Sequence, residues 1–205
     1  MKNFEIIKSK LSESISYDQY FEEFRNKVET PSDDNLSQDE LELLNYTKLN
    51  YQRSSRIHKT YKPSQEIEEI VKQINFKQWW ILITENWCGD SAQNVPYIYE
   101  ISKLNPLITL RIFKRDSHLE IMDLYLTNGA RSIPKLIAFD ESGNEFFVWG
   151  ARPNEAQELI NKLKSEGKTK DDFIEQLHLW YARNKGKNLE KEFYNLILNS
   201  IHNHK

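Results

Sequence analysis

A single cysteine is the residue best able to do chemistry in this chain. Cys88 lies in the stretch ENWCGDSAQ, Glu85 to Gln93, directly after the apolar run QWWILIT. The thiolate form of cysteine is the nucleophile, whereas a thiol with a pKa near ~8.5 is mostly protonated at neutral pH. Because the 205 residues contain one cysteine, any disulfide has to join it to a small thiol or to another protein. Two interpretations follow, a reactive thiol and a buried structural one.

The residues around Cys88 predict a thiol at the first turn of a helix. Free backbone amides and the helix dipole at such a position favour the thiolate and lower cysteine pKa values to roughly 3.5–7.5. Ser91 can donate a hydrogen bond to the sulfur. Asp90 has two alternatives, since its carboxylate either stabilises the helix start or raises the thiol pKa by repulsion. Gly89 permits a tight turn and Trp87 supplies a flat apolar wall, beside which a peptide or glutathione could lie.

Composition excludes several classes of function. With 28 Lys+Arg and 31 Asp+Glu the net charge is −3, so neither a nucleic-acid binder nor a membrane-surface binder is indicated. The first residues lack the pattern of a signal peptide, and no apolar run approaches a membrane span. We therefore expect a cytoplasmic protein. The histidines show no ligand spacing with carboxylates or the cysteine, so we expect no metal and interpret them as structural or surface residues; they are His58, His118, His178, His202 and His204.

The periodicity of apolar residues divides the chain into three parts. Residues 1–62 predict a helical hairpin, whose second helix opens with a capping box from Ser37 to Glu40 and whose connection, ETPSDDNLS, is polar. Residues 63–166 predict an α/β domain with a buried strand at Trp79 to Thr84. Residues 167–205 predict amphipathic helices that pack on this domain. The two adjacent tryptophans, Trp79 and Trp80, are expected on opposite faces of their strand.

The middle part follows the order helix, strand, helix, strand, helix, strand, strand, helix, and with its motifs it resembles the thioredoxin superfamily. Trp87-Cys88 stands between the first strand and the next helix, and Pro96 falls where thioredoxins carry a helix-kinking proline. Ile133-Pro134 resembles the cis-proline dipeptide that faces the thiol, and Gly150 matches the glycine beside the substrate groove. The resemblance implies a thioredoxin-like fold, a central mixed sheet flanked by helices. A cis Pro134 would also expose the backbone of Ile133 for pairing with an extended substrate.

More narrowly, NWCGDSAQ with helical extensions at both ends looks like a bacterial thioredoxin-like family with a CxxS motif. Ser91 replaces the second cysteine that resolves mixed disulfides, so a dithiol cycle within one chain is impossible. Thioredoxins also bury an aspartate six residues before the cysteine, where this chain has Leu82. Both differences reduce the expectation of thioredoxin-like turnover.

Three functions are consistent with this resemblance. The first is monothiol exchange or (de)glutathionylation through Cys88, with an external thiol resolving the adduct and glutathione as a co-substrate rather than a bound cofactor. The second is a redox-inactive module whose groove beside Pro134 binds an extended peptide. The third, iron–sulfur assembly as in CGFS monothiol glutaredoxins, is weakened because Glu85, Asn86 and Trp87 replace the basic residue expected before the cysteine. The predicted site comprises Trp87, Cys88, Gly89, Asp90, Ser91, Ile133, Pro134 and Gly150.

Overall fold

The computed structural model describes residues 2–30 and 36–204. A four-stranded sheet lies at its centre, with the strand order β2-β1-β3-β4. Strand β1 pairs in parallel with β2 and antiparallel with β3, and β3 pairs antiparallel with β4. The strands are β1 Gln78–Thr84, β2 Ile108–Lys114, β3 Lys135–Asp140 and β4 Glu145–Trp149. The predicted α/β fold class, a mixed sheet flanked by helices, is confirmed.

Helices surround this sheet on both faces. Within the described ranges they are α1 Lys2–Ser9, α2 Tyr17–Glu29, α3 Gln38–Thr60, α4 Gln65–Lys72, α5 Gly89–Ser102, α6 Leu119–Met122, α7 Asn154–Ser165, α8 Lys170–Asn184 and α9 Lys187–Asn203. None of these described helices is both long enough and apolar enough to cross a bilayer.

Strand β1 is apolar almost throughout because helices cover both faces of the sheet. Trp80 and Leu82 point into a cluster that includes residues of α4, α5 and α9. Ile81 and Ile83 point to the other face, where Phe4 of α1 joins the second cluster. The alternation places the adjacent tryptophans on opposite faces, as predicted, since Trp79 packs against the second cluster.

The N-terminal hairpin consists of α2 and α3, and α1 precedes it as a helix that the sequence pattern did not indicate. The capping box at the start of α3 is confirmed, because the Ser37 hydroxyl accepts from the amide of Glu40 while the Glu40 carboxylate accepts from the amide of Ser37. Most of the predicted connection, residues 31–35, lies outside the described residues. Between α1 and α2, Ile15 bridges to Ile112 at the edge of β2, which covers an otherwise open strand edge.

The C-terminal helices pack on the same sheet and on α5. Phe193 of α9 meets Trp80 edge-on with 5.8 Å between ring centroids and lies 5.4 Å from the ring of Trp149. Tyr181 of α8 is buried and donates a hydrogen bond to Asp90 at the start of α5 (2.6 Å). The extensions therefore contact the helix that carries the thiol. The domain boundaries after residues 62 and 166 stay predictions.

Candidate active site

Cys88 lies at the start of helix α5, four residues after strand β1 ends at Thr84. It is the N-cap of α5, with extended backbone angles of φ −81° and ψ 122°, and its Sγ accepts a hydrogen bond from the amide of Ser91 at 3.5 Å. The residue is half-buried and packs at the edge of the second core cluster. The first turn of α5 thus aims a free amide at the sulfur, as the sequence predicts.

The loop before β3 lies against this sulfur. The Cys88 thiol donates to the carbonyl oxygen of Ile133 at 3.3 Å, and the Ile133–Pro134 peptide bond is cis. Gly150 packs behind the loop so closely that a Cβ there would overlap the carbonyl oxygen of Pro134. The structure therefore brings together Cys88, Ile133, Pro134 and Gly150, which are far apart in the sequence.

The pKa of the Cys88 thiol is raised, not lowered. Burial is the largest cause and the negative charge of Asp90 is the second, while hydrogen bonds from Ser91 and from the first amides of α5 act in the opposite direction. The carbonyl of Ile133 adds to the effect, because it accepts a hydrogen bond only from the protonated thiol. The expectation that the helix start lowers the pKa of this cysteine is therefore wrong, since desolvation outweighs the helix amides.

Asp90 is held by two residues that the sequence analysis did not single out. The guanidinium of Arg152, two residues after Gly150, donates to its carboxylate through Nε at 3.1 Å and also through Nη2. The phenol of Tyr181 donates to the other carboxylate oxygen at 2.6 Å. Asp90 is thus fixed in a nearly buried ion pair, and its charge still raises the pKa of Cys88. Of the two alternatives for Asp90, repulsion is the one that corresponds to its effect on the thiol pKa.

Ser91 is buried next to the sulfur, with 1% of its surface exposed. Its hydroxyl acts on Cys88 in the direction that lowers the thiol pKa, as predicted for a donor. At hydrogen-bond distances, however, Oγ has no partner among the described residues. A buried hydroxyl without a partner is uncommon and calls for an explanation.

Trp87 is held in place on both of its sides. Its indole nitrogen donates to Asp116 at 3.1 Å, and the guanidinium of Arg115 lies 4.6 Å from the ring centroid. Asn50 of α3 donates to the Trp87 carbonyl at 3.0 Å. The Trp87 ring, which the sequence predicts as a flat apolar wall beside the thiol, is therefore held in one orientation by these contacts.

A groove of about 690 Å³ opens beside the thiol, and the two helical extensions form most of its walls. Trp87, Cys88 and Gly89 form its floor. The helix α3 contributes Asp39, Glu42, Leu43 and Tyr46, and α8 contributes Lys170, Asp171 and Ile174. Neither wall was predicted as part of the site, because the aromatic and apolar stripes of the extensions indicate packing and do not indicate which element they face.

Two side chains of the extensions approach Gly89 closely. A Cβ at this position would lie 2.8 Å from the hydroxyl of Tyr46 and 3.2 Å from the ring of His178. These two residues are themselves in contact, with 3.4 Å between the Tyr46 hydroxyl and His178 Nε2. His178, interpreted from the sequence as a structural or surface residue, therefore lies directly over the active-site turn. Burial and the nearby charge of Arg53 lower its pKa to about 4, so it is neutral at neutral pH.

We expect His178 to make folding stability fall in mild acid. Its pKa is about 4 in the folded chain against 6.5 ordinarily, so the unfolded chain takes up the extra proton. The free energy of unfolding is therefore highest, as far as His178 determines it, above pH 6.5, where this residue is neutral in both states, and it decreases as the pH falls toward 4. His178→Gln should reduce the loss between pH 7 and pH 5 by roughly 1 kcal/mol, a figure discounted for partial exposure.

Urea unfolding at the two pH values measures this effect. His202→Gln, at an exposed position near the C-terminus, serves as the matched control and should behave like the parent protein. Identical pH dependence in the parent and His178→Gln would contradict the prediction.

Two buried residues near the end of β1 differ in whether they can carry a proton. Leu82, six residues before the cysteine, is fully buried in the apolar core, and its aliphatic side chain has no group that can transfer a proton. Glu85 is buried, and burial raises its pKa although its carboxylate accepts a hydrogen bond from the amide of Asp116 at 2.9 Å. In residues 2–30 and 36–204, no group of three or more His, Cys, Asp and Glu residues is arranged to hold a metal ion.

Comparison with known proteins identifies the family. Residues 37–165, more than half of the chain, match a family model described as Thioredoxin. The chain belongs to this thioredoxin family. The match begins at the N-cap of α3, so in this thioredoxin family member the matched region includes one wall of the groove as well as the α/β core.

Two solved structures resemble this thioredoxin family member, both at 16% sequence identity. The crystal structure of an HIV 4E10 epitope-scaffold has a TM-score of 0.52 and covers 89% of this chain and 98% of its own. A protein of unknown function from Pseudomonas aeruginosa has a TM-score of 0.47 and covers 84% of this chain and 99% of its own. At this identity the first similarity supports the fold alone. No curated protein matches the chain.

Proposed function

We propose that this protein carries out monothiol thiol–disulfide exchange through Cys88, including removal or addition of glutathione, with an external thiol completing the cycle. The observation that carries the proposal is the position of the thiol, half-buried at the floor of an open groove and facing the loop of Ile133 and Pro134. A structural cysteine has no need of such a groove. We place the reaction in the cytoplasm, where external thiols are kept reduced.

The proposed cycle has two balanced exchanges. The thiol of Cys88 loses its proton to solvent, and the thiolate attacks one sulfur of a disulfide R–S–S–R′. The S–S bond breaks, R′S⁻ leaves with the electron pair and takes up a proton, and Cys88 is left in a mixed disulfide with R. A second, external thiolate then attacks the R sulfur, which releases Cys88 as a thiolate.

The neighbours of the sulfur affect these steps in different ways. The amide of Ser91 can stabilise the thiolate as it forms, and the Ser91 hydroxyl cannot displace R because oxygen does not form a disulfide. The raised pKa means that a small fraction of Cys88 is thiolate at neutral pH. The exchange is therefore expected to be slow at pH 7 and to accelerate roughly tenfold for each pH unit below the thiol pKa.

The experiment is to expose the reduced protein to bis(2-hydroxyethyl) disulfide at pH 7 and pH 9 and to follow the adduct by intact mass. We expect one adduct, faster at pH 9, that is removed by added glutathione. Ser91→Cys is the matched variant, because the introduced thiol should resolve the adduct within the chain and keep it from accumulating. An intact folded protein that forms no adduct at pH 9, while the urea-unfolded chain does, would rule out the proposal.

A redox-inactive peptide-binding module is the second candidate, and the raised pKa of Cys88 favours it. A protonated thiol bonded to the carbonyl of Ile133 is a stable resting arrangement that needs no turnover. Leu82 and Ser91 remove the two other parts of the dithiol mechanism. Binding of an extended peptide that persists in Cys88→Ser would favour this module over exchange.

A further inference from the structure

The charge of the groove beside Cys88 is unbalanced. Asp39 and Glu42 reach it from α3 and Asp171 from α8, whereas Lys170 is its lining cation. Across residues 2–30 and 36–204, none of these three carboxylates is within ion-pair distance of a Lys, Arg or His side chain, in contrast to paired carboxylates such as Glu68 and Asp123. Arg53 lies beside the groove, 5.9 Å from the ring centroid of Tyr46. The lining therefore carries an excess of negative charge, with three carboxylates against one cation, in the groove that contains the thiol.

The same groove also presents apolar surface. Leu43 of α3 keeps 46% of its surface exposed, and Ile174 of α8 stands on the opposite wall. Trp87 and Tyr46 add two aromatic rings near the sulfur. An occupant that fits this lining combines apolar side chains with positive charge, which free glutathione, an anion, does not.

A separate observation points to a ligand at the sulfur itself. The Ser91 hydroxyl is 1% exposed and lies close enough to Cys88 to act on its pKa, but no described atom, the sulfur included, is within hydrogen-bond distance of its Oγ. An unpaired buried hydroxyl costs free energy until another group pairs with it. A substrate that exchanges with Cys88 has to place its own sulfur and neighbouring atoms next to this hydroxyl, where they can pair with it.

We infer that the substrate is a cysteine-containing peptide segment with basic and apolar residues next to its disulfide, and that anionic disulfides such as oxidised glutathione are disfavoured. This inference rests on the proposed function and narrows its substrate class: it retains exchange on a peptide segment and disfavours direct exchange with free oxidised glutathione, which the broader proposal includes. The chemical step is unchanged: Cys88 attacks the peptide disulfide, the S–S bond breaks and the leaving thiolate takes up a proton. The carboxylates act before that step, because opposite charge raises the local concentration of the substrate and its rate of encounter.

The test compares three small disulfides of different charge with the reduced protein. Cystamine is cationic, bis(2-hydroxyethyl) disulfide is neutral and oxidised glutathione is anionic. The rate at which each disulfide forms an adduct with the protein is divided by the rate at which the same disulfide reacts with N-acetylcysteine amide, an uncharged thiol, which removes differences in the reactivity of the disulfides themselves. At low salt we expect cystamine to exceed oxidised glutathione by about tenfold or more. The ratio should shrink to about threefold or less at 0.5 M salt, because screening weakens exposed charges.

Two matched triple variants connect the preference to the groove. Asp39→Asn/Glu42→Gln/Asp171→Asn should bring the normalised ratio to within about twofold. Glu5→Gln/Glu155→Gln/Glu158→Gln removes the same charge at exposed positions outside the groove lining and should leave the ratio unchanged. Circular dichroism and urea midpoints establish that each variant is folded.

A binding arm separates this inference from the proposed function. Calorimetry with Cys88→Ser compares acetyl-Lys-Leu-Ser-Leu-Lys-amide with its glutamate counterpart, and we expect the lysine peptide to bind at least about fivefold more tightly at low salt. No adduct with any disulfide would defeat the exchange function, and the peptide arm would still decide the charge preference. Adducts at charge-independent normalised rates, equal peptide affinities, or no binding of either peptide would overturn the inference.

Discussion

Gly150→Ala is expected to destabilise the protein by about 3 kcal/mol or more, because two costs coincide at this position. Gly150 has φ +116°, a conformation that residues with a side chain rarely adopt. An added Cβ would also overlap the carbonyl oxygen of Pro134 and lie 3.3 Å from the Cα of Lys135. These are backbone atoms next to a buried strand, so they cannot rotate away as a side-chain end would.

Gly129→Ala is the control that separates the two costs. Gly129 also has positive φ, +78°, but a Cβ there would meet nothing within 4 Å. Gly129→Ala should lower the free energy of unfolding by about 1–2 kcal/mol, which is the cost of the positive φ alone. Urea unfolding measures both variants, and a displaced Pro134 loop in Gly150→Ala should also speed alkylation of Cys88, since the Ile133 carbonyl holds its proton. Equal destabilisation by the two variants would show that the packing against Pro134 carries no energy.

The elements of the α/β core were predictable because each has a strong local signal. The apolar run at Trp79 to Thr84 predicts a strand covered on both faces, and the structure places β1 at Gln78–Thr84 with six of seven residues buried. The capping box at Ser37 identifies the start of α3, and the two successive strands in the predicted order of elements correspond to the hairpin of β3 and β4. These signals depend on residues close in sequence, so no tertiary information is needed to interpret them.

The electrostatics of the site could not be predicted in the same way. Whether the helix amides or burial decides the pKa of Cys88 depends on how much protein covers the sulfur, and that cover comes from distant residues. Ile133 follows Cys88 by 45 residues, and Arg152 and Tyr181 follow Asp90 by 62 and 91 residues. No spacing rule connects them.

The walls of the groove were missed for a related reason. Leu43 and Ile174 belong to amphipathic helices, whose pattern predicts that one face packs but does not identify the neighbour. His178 gave no signal either, because a single histidine on a helix is more often structural than functional. Gly89 itself was the one indication in the sequence, since a glycine at the start of a helix permits another element to come close.

Asp90 and Arg152 are expected to shift the reactivity of Cys88 in opposite directions. Asp90→Asn removes a charge that raises the pKa of the thiol and leaves the Arg152 cation to attract the thiolate. Alkylation by iodoacetamide at pH 7.5 should accelerate roughly 3–10-fold. Arg152→Gln removes the cation and leaves Asp90 unneutralised, so alkylation should slow by about threefold. Both variants break a nearly buried ion pair and should cost about 3 kcal/mol of stability.

The opposite signs make the result independent of that loss of stability. If the variants acted only by loosening the fold, both would expose Cys88 and both would be alkylated faster. Tyr181→Phe provides a matched control, because it removes the hydrogen bond to Asp90 without changing any charge, and its alkylation rate should stay within about twofold of the parent. Faster alkylation of both charge variants would mean that access, and not the Asp90 charge, limits the thiol. Slower alkylation of Arg152→Gln alone among the three would show that the ion pair sets the thiolate fraction at Cys88.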